Sequence, residues 1–211
     1  MAITINGTGT ITGVSVGGLP DGIVDTDMLA NDAVSAAKLQ STAIAAGDLP
    51  SGSILQVVSS TKSDTSSATG YSWTDTGLSV SITPVAASSK ILVLADMNIG
   101  SNIGFDIKLR LMRGSTPIGL GDAVGSRPQV TKVVNTYSST NYAVYHLIPT
   151  SIIHLDEPTY TLTDSITYKV QFATYDTNLV YLNRSSNNST DTNNEYEGTP
   201  ASFITVMEVA G

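Results

Sequence analysis

The stretch SITYKVQFATY, residues 165–175, carries the clearest structural signal in the chain. Its apolar and aromatic side chains fall at every second position: Ile166, Tyr168, Val170 and Phe172. Lys169 and Gln171 lie between them and therefore point to the opposite face of an extended strand. Such a strand buries one face against a core and leaves the other in water. We therefore expect a sheet that is covered on one side.

Eight further runs are also short, apolar and bounded by Gly, Pro, Asn or Ser. They are ILQVVSS (54–60), LSVSITP (78–84), SKILVLADMNI (89–99), FDIKLRLMR (105–113), TKVVNTY (131–137), NYAVYHLI (141–148), LVYLNRS (179–185) and ASFITVMEV (201–209). Nine or ten strands without a helical period predict a mainly β domain over residues 53–211. We expect an antiparallel β-sandwich of the jelly-roll type, with a closed barrel as the alternative. The last run predicts that the C-terminal residues are part of a sheet.

The charge balance disfavours several partners. Eighteen acidic and ten basic residues give a formal net charge of −8, and no cluster of Lys or Arg occurs. Phosphate backbones and anionic lipids attract clustered basic residues, so we expect no nucleic-acid binding. No apolar run approaches the ~18 residues that span a bilayer, and the N-terminus lacks the pattern of a signal peptide, so we expect no membrane insertion. The absence of cysteine excludes disulfides and thiolate sites.

The N-terminal segment 13–52 repeats every ten residues. The four units are GVSVGGLPDG (13–22), IVDTDMLAND (23–32), AVSAAKLQST (33–42) and AIAAGDLPSG (43–52). One column holds the β-branched residues Val14, Val24, Val34 and Ile44, and the other holds Leu19, Leu29, Leu39 and Leu49. Positions five apart share neither one stripe of a helix nor one face of a strand. Each unit therefore predicts an extended residue followed by a helical turn that closes at the leucine.

Two aliphatic side chains per unit bury too little surface for the segment to fold alone. Ordering a residue costs about 1–2 kcal/mol, whereas a buried aliphatic side chain contributes about 1.5–3 kcal/mol. We therefore predict that the two columns form the seam of a trimeric stalk, preceded by an N-terminal arm at residues 1–12. The alternative is a linker with accidental periodicity. A calcium ion at Asp25 and Asp27 is a weaker hypothesis, because the oxygen-rich loop of calcium sites is missing, and no cofactor is expected.

The order of several phrases along the chain resembles a known family. They are ITINGTGTITGV (3–14), the decapeptides, SVSITPVAASSKILVLADMNIG (79–100), IGLGDAVGSR (118–127), YKVQ (168–171), YLNRS (181–185) and ITVMEVAG (204–211). Together they resemble a structural fibre protein, of the tail or the head, of tailed bacteriophages that infect cyanobacteria and marine bacteria. The resemblance implies a homotrimer in the virion, made in the bacterial cytoplasm. It also implies an N-terminus bound to other virion proteins and a distal β knob.

The polar segment NRSSNNSTDTNNEYEG, residues 183–198, joins two predicted strands and is therefore expected to be an exposed loop. Short amides and aromatic faces suit binding to sugar hydroxyls and sugar rings. The candidate glycan-binding residues are Trp73, Tyr181, Asn187, Asn188, Asn193, Asn194 and Tyr196. The alternative is a long loop that binds nothing.

Three other patterns were weighed as sites. The glycines of IGLGDAVGSR match neither of the two phosphate-binding spacings, GxGxxG and GxxxxGK. We therefore expect a tight β connection there instead of nucleotide binding. His146, His154 and Asp156 lie near one another in sequence, but we expect structural histidines and no metal. Glu195 and Glu197 lack the supporting frame of a catalytic acid pair, so we expect no catalytic residues.

These observations favour a non-enzymatic, trimeric phage fibre whose knob adheres to host surface glycans. One alternative is a capsid decoration or head fibre protein with a structural role. A second alternative is a glycan hydrolase.

Overall fold

The computed structural model describes residues 44–102, 106–135, 145–187 and 198–211. Within these ranges it has a short 3-10 helix, Ala46–Asp48, and eleven strands. The strands are β1 (Ile54–Lys62), β2 (Ser66–Thr69), β3 (Thr74–Ile82), β4 (Lys90–Ser101), β5 (Ile107–Arg113), β6 (Thr116–Ile118), β7 (Lys132–Val134), β8 (Ile148–Asp156), β9 (Ile166–Ala173), β10 (Leu179–Leu182) and β11 (Ser202–Val209). The expected mainly β fold is therefore confirmed.

The strands form two antiparallel sheets. Sheet A has the order β1-β11-β4-β10-β2, and β8 also pairs with β4. β8 and β11 pair with overlapping parts of β4, so β8 lies on the opposite side of β4 from β11. Sheet B has the order β3-β9-β5-β6, and β7 also pairs with β5. β11 is thus an interior strand, as expected of the C-terminal run.

The two sheets share one hydrophobic core. Ile91, Val93 and Met97 of β4 belong to the same buried cluster as Val170 and Phe172 of β9. Burial alternates along β9, with the residues predicted to face inward buried and Lys169 and Gln171 partly exposed. An arrangement of two antiparallel sheets around one core is consistent with a β-sandwich.

Eight of the nine predicted runs contain a strand, and the exception is NYAVYHLI. Residues 141–144 of this run lie outside the described residues, and of the remainder only Ile148 is in a strand. The sequence prediction missed most of β8, which contains Pro149 near its start. Pro149 lies on β8 and pairs with Asn98 of β4. β8 is an edge strand of the described sheet, so the missing N–H of proline breaks no second ladder of hydrogen bonds.

The chain divides into two compact units, Met1–Ala45 and Ala46–Gly211. The sequence pattern changes later, after residue 52, but residues 46–52 are grouped with the strands. The Gly52 N–H donates to the carbonyl of Ala210 over 2.9 Å, and the Ala210 N–H donates to Ser53 over 2.9 Å. These hydrogen bonds tie the end of the last decapeptide to the C-terminus.

Two residues of the predicted seam lie within the described residues, Ile44 and Leu49. The Leu49 N–H donates to the carbonyl of Ala46 over 3.4 Å and closes the 3-10 turn of Ala46–Asp48. Ile44 is 54% exposed and Leu49 is 38% exposed. The other six seam residues, the N-terminal arm and the Asp25–Asp27 pair lie outside the described residues, and the seam stays a prediction.

Candidate functional site

A cavity of about 400 Å³ lies where β3 and β5 begin and β9 ends. We call it the Trp73 cavity. Its lining comes from the β2–β3 connection, the start of β5, the β6–β7 connection and the end of β9. The lining residues are Tyr71, Trp73, Asp106, Lys108, Ser126, Pro128, Ala173 and Thr174.

Backbone hydrogen bonds hold the β2–β3 and β9–β10 connections together beside the cavity. The Thr174 N–H donates to the carbonyl of Gly70 over 2.9 Å, and the Gly70 N–H donates to Asn178 over 3.2 Å. Gly70 has a φ of +72°, and a Cβ at this position would lie 2.6 Å from the carbonyl oxygen of Asp176. Only glycine allows this close approach, which sets Tyr71 and Trp73 beside Thr174.

Arg110 orients the indole of Trp73. Its guanidinium lies 4.3 Å from the ring centroid, a cation–π distance, and its Nε donates to Oε1 of Gln171 over 2.8 Å. Partial burial lowers the pKa of Arg110, while the charge of Asp75 acts in the opposite direction. Arginine stays charged at any physiological pH, so one face of the indole remains covered by a fixed cation.

Tyr71 extends the aromatic surface. Its ring lies edge-on to Tyr175, with centroids 5.4 Å apart and planes at 75°. Desolvation and then the neighbouring Tyr175 hydroxyl raise the pKa of Tyr71, so its hydroxyl stays protonated at neutral pH. Tyr71 is 63% exposed, which leaves much of the ring free for contact.

The polar side of the cavity has one ion pair and one buried hydroxyl. Lys108 Nζ lies 2.7 Å from Oδ2 of Asp106. Thr174 is fully buried, and its Oγ1 is the one buried side-chain polar atom of the described residues that has no hydrogen-bond partner. A buried hydroxyl without a partner costs about 1–3 kcal/mol. Thr174 Oγ1 is closed off from solvent, so a ligand in the cavity reaches it only when the cavity wall moves.

The structure separates the residues that the sequence grouped as a glycan site. Trp73 lines the cavity, whereas Tyr181 lies on β10 and is 5% exposed. The Arg184 guanidinium covers its ring at 3.9 Å, so stacking on Tyr181 requires Arg184 to move. Asn187 is exposed after β10. Asn188, Asn193, Asn194 and Tyr196 lie outside the described residues.

Sequence reasoning missed most of the cavity. Tyr71 precedes Trp73 in a turn-rich stretch, and this aromatic pair is a signal that could have been noticed. Asp106, Lys108 and Thr174 carry no such signal, because each belongs to a different part of the chain.

The glycine-rich stretch also reaches the cavity. The connection between β6 and β7 covers residues 119–131, so the expectation of a tight connection was wrong. A turn closes where the Arg127 N–H donates to Val124 over 3.1 Å, and this places Ser126 and Pro128 on the cavity wall. The stretch is therefore a long wall loop instead of a short hairpin.

The histidines do not converge with Asp156. His154 lies on β8 against Gly119, and His146 is exposed before β8. Asp156 accepts from Arg113 Nη1 over 2.8 Å and from the Tyr168 hydroxyl over 2.7 Å. The part of the chain that the structure describes contains no group of three His, Cys, Asp or Glu side chains suited to a metal. Glu195 and Glu197 lie outside the described residues.

A scan against protein-family models finds no match to this chain, and a search of curated proteins finds no relative. Among the described residues, no helix has the length and apolar character needed to cross a membrane.

Proposed function

We propose that this chain is a non-enzymatic virion fibre protein of a tailed bacteriophage, whose β knob adheres to host surface glycans through the Trp73 cavity. In this proposal the decapeptides form a homotrimeric stalk, the N-terminus attaches to other virion proteins, and the knob is a jelly roll. The single observation that carries the adhesion proposal is the cavity itself. It places a tryptophan ring, a tyrosine ring and an ion pair on one concave surface.

A sugar ring fits this chemistry. The apolar C–H face of a pyranose stacks on aromatic rings, which Trp73 and Tyr71 provide. Lys108 donates and Asp106 accepts, which matches the mixed hydrogen bonding of sugar hydroxyls. The charges of Lys108 and Asp106 cancel, which favours a neutral glycan over a strongly anionic one.

Size and valency also support a surface glycan. The volume of about 400 Å³ is at the lower end of ligand pockets and suits one or two sugar residues. A site of this size binds weakly alone. Three copies on one stalk would convert weak binding into avidity for a repetitive cell surface.

The test uses the full-length chain and immobilised lipopolysaccharide and capsular polysaccharide purified from bacteria. We expect Trp73→Ala to bind at least about tenfold more weakly, because a lost stacking platform costs about 1.4 kcal/mol or more. Tyr145→Ala is the matched control, since Tyr145 is a partly exposed aromatic that does not line the cavity. Circular dichroism confirms that both variants are folded.

Each other outcome points to a specific alternative. Unchanged binding of Trp73→Ala, with loss of binding on deletion of residues 186–195, assigns adhesion to the polar loop instead of the cavity. No binding of the wild-type chain to any of these glycans favours the capsid decoration or head fibre. Release of sugars from the glycans favours the hydrolase. Labelling of the chain on virions then distinguishes a head from a tail location.

A further inference from the structure

The outer face of sheet B is polar. Its outward side chains include Asp75 on β3 and Lys169 and Gln171 on β9. Asp75 accepts from Lys169 over 2.7 Å and from Gln171 over 2.6 Å. Burial raises the pKa of Asp75, but the two hydrogen bonds lower this pKa by a larger amount. The net pKa of Asp75 therefore lies below its ordinary value. This face is therefore built for contact with water.

The outer face of sheet A is apolar across four strands. Val57, Met207, Leu92 and Leu155 are direct neighbours in one row across β1, β11, β4 and β8. In the adjacent row Leu94 and Ile153 are apolar, whereas the row continues on β11 and β1 with the polar residues Thr205 and Ser59. Ile153 is 70% exposed, Val57 is 54% exposed and Leu155 is 46% exposed. A contiguous apolar surface of this kind marks an interaction site.

Charged groups occur at the two ends of this face. Asp96 lies at one end and accepts from the Ser151 hydroxyl over 2.7 Å. Lys90 and Glu157 form an ion pair of 2.7 Å at the other end. An apolar centre between polar ends is the usual layout of a protein–protein interface.

The open edge of β8 is less suited to a partner. Lys132 Nζ donates to the backbone carbonyl of Ser151 over 2.7 Å, so a side chain already occupies part of this edge. A partner would therefore bind to the face of sheet A instead of extending the sheet by another strand.

We infer that the outer face of sheet A packs against the outer faces of sheet A in the other copies of this chain, around their common axis. The inference rests on the self-association in the proposed function and assigns the knob's part in it. The chain runs from the last seam leucine, Leu49, directly into β1 of sheet A. Leu49 and Ile54 are 38% and 49% exposed, so apolar exposure continues from the repeat onto this sheet. Four residues separate Leu49 from Ile54, so copies joined at their decapeptides would hold their β units within a short length of chain of one another.

The distribution of charge on sheet A also allows another copy to bind there. The two rows contain no charged side chain, so copies meet there without burying an unpaired charge. The chain as a whole carries a net charge of −8, which opposes contact through its charged surfaces.

Thiol accessibility in the full-length chain tests this inference. The chain has no cysteine, so a single introduced thiol reports on one position only. We expect the Ile153→Cys thiol to react with a maleimide dye at least about tenfold more slowly than the matched Ser79→Cys thiol on sheet B. In urea the two rates should become equal. Adding Val57→Glu to the Ile153→Cys chain should restore fast labelling without unfolding, since Val57 is exposed in the single chain.

Equal native rates for Ile153→Cys and Ser79→Cys would overturn the inference, whether light scattering finds one chain or several. A protected Ile153→Cys thiol that Val57→Glu does not expose would also overturn it. Glycan binding is measured separately on the same chains. Absent binding with a protected thiol would refute adhesion and leave the interface standing, and the reverse result would refute only the interface.

Discussion

Thr174 carries the one fully buried side-chain oxygen or nitrogen of the described residues that has no hydrogen-bond partner. Asp156, by contrast, accepts from both Arg113 and Tyr168. Burial and then the hydrogen bond to Asp156 raise the pKa of Tyr168, so the tyrosine stays a donor at all physiological pH values. Thr174 Oγ1 makes no such contact with the described residues. Its hydroxyl therefore adds no hydrogen bond to the described fold.

Thr174→Val tests this contrast. We expect the free energy of unfolding to stay the same or rise by about 1 kcal/mol, because the variant removes an unsatisfied hydroxyl. Urea unfolding measures this effect.

The matched control for Thr174→Val is Thr76→Val. Thr76 is equally buried, but its Oγ1 donates to Val170 over 2.8 Å and accepts from Leu78 over 3.1 Å. The free energy of unfolding of this variant should fall by about 1–3 kcal/mol, and its glycan affinity should stay unchanged. An equal loss of stability in both variants would show that Thr174 has a structural partner.

Among the elements, the connection between β3 and β4 is held by a side chain of β11. Glu208 accepts from the backbone N–H groups of Val85 and Ala86, each over 3.0 Å, and from Gln56 Nε2 over 2.5 Å. The Tyr160 hydroxyl reinforces the connection by donating to Ala86 over 2.7 Å. The carboxylate of Glu208 therefore joins the β3–β4 connection to β11, an interior strand of sheet A.

Glu208 should make the knob sensitive to acid. Burial raises the pKa of Glu208, but the hydrogen bonds from Gln56, Val85 and Ala86 outweigh it and hold the net pKa below the ordinary 4.5. Because the folded pKa is lower than the unfolded one, the stabilisation is complete above about pH 4.5 and is lost as the pH falls through the folded pKa. Urea unfolding between pH 7 and pH 3 measures this loss.

Glu208→Gln should lower the free energy of unfolding by about 1–3 kcal/mol at pH 7 and should make this free energy depend less on pH. Glu157→Gln serves as the control. Glu157 forms an exposed ion pair with Lys90, and such pairs contribute about 0–1 kcal/mol. A pH dependence in Glu208→Gln as steep as in the wild-type chain would contradict this assignment.

At the scale of the whole molecule, the two parts of the chain have different sources of stability. The β unit has its own core, formed by residues of both sheets. The decapeptides have two aliphatic columns and, by the sequence prediction, need sister chains to bury them. The two parts should therefore respond independently to substitutions.

Leu29→Asp should weaken the assembly and leave the knob folded, because it places a charge in the predicted seam. Light scattering over a dilution series should show a mass that falls towards one chain, and circular dichroism should retain the β signal. Asn31→Asp adds the same charge outside the two columns and should not change the mass. A monomeric wild-type chain, or joint melting of both parts in Leu29→Asp, would refute the trimeric stalk.

The sequence by itself determined the fold class and most strand positions. Alternation with a period of two is a local property, so the buried face of β9 could be predicted from residues 165–175 alone. Local reasoning failed at β8, because a proline is tolerated in a strand only when one edge is unpaired. Whether that edge is unpaired depends on which strands lie beside it.

Only the tertiary structure decided where the Trp73 cavity and the exposed apolar face lie. Residues 90–95 of β4 are apolar at almost every position, so their pattern does not say which side faces the core. Packing against sheet B buries Ile91 and Val93 and leaves Leu92 and Leu94 partly exposed on the outer face. The Trp73 cavity likewise joins residues from 71 to 174, and its chemistry exists only because the fold brings distant connections together. Local patterns record the conformation of each segment, whereas a site or an interface depends on contacts between segments far apart in sequence.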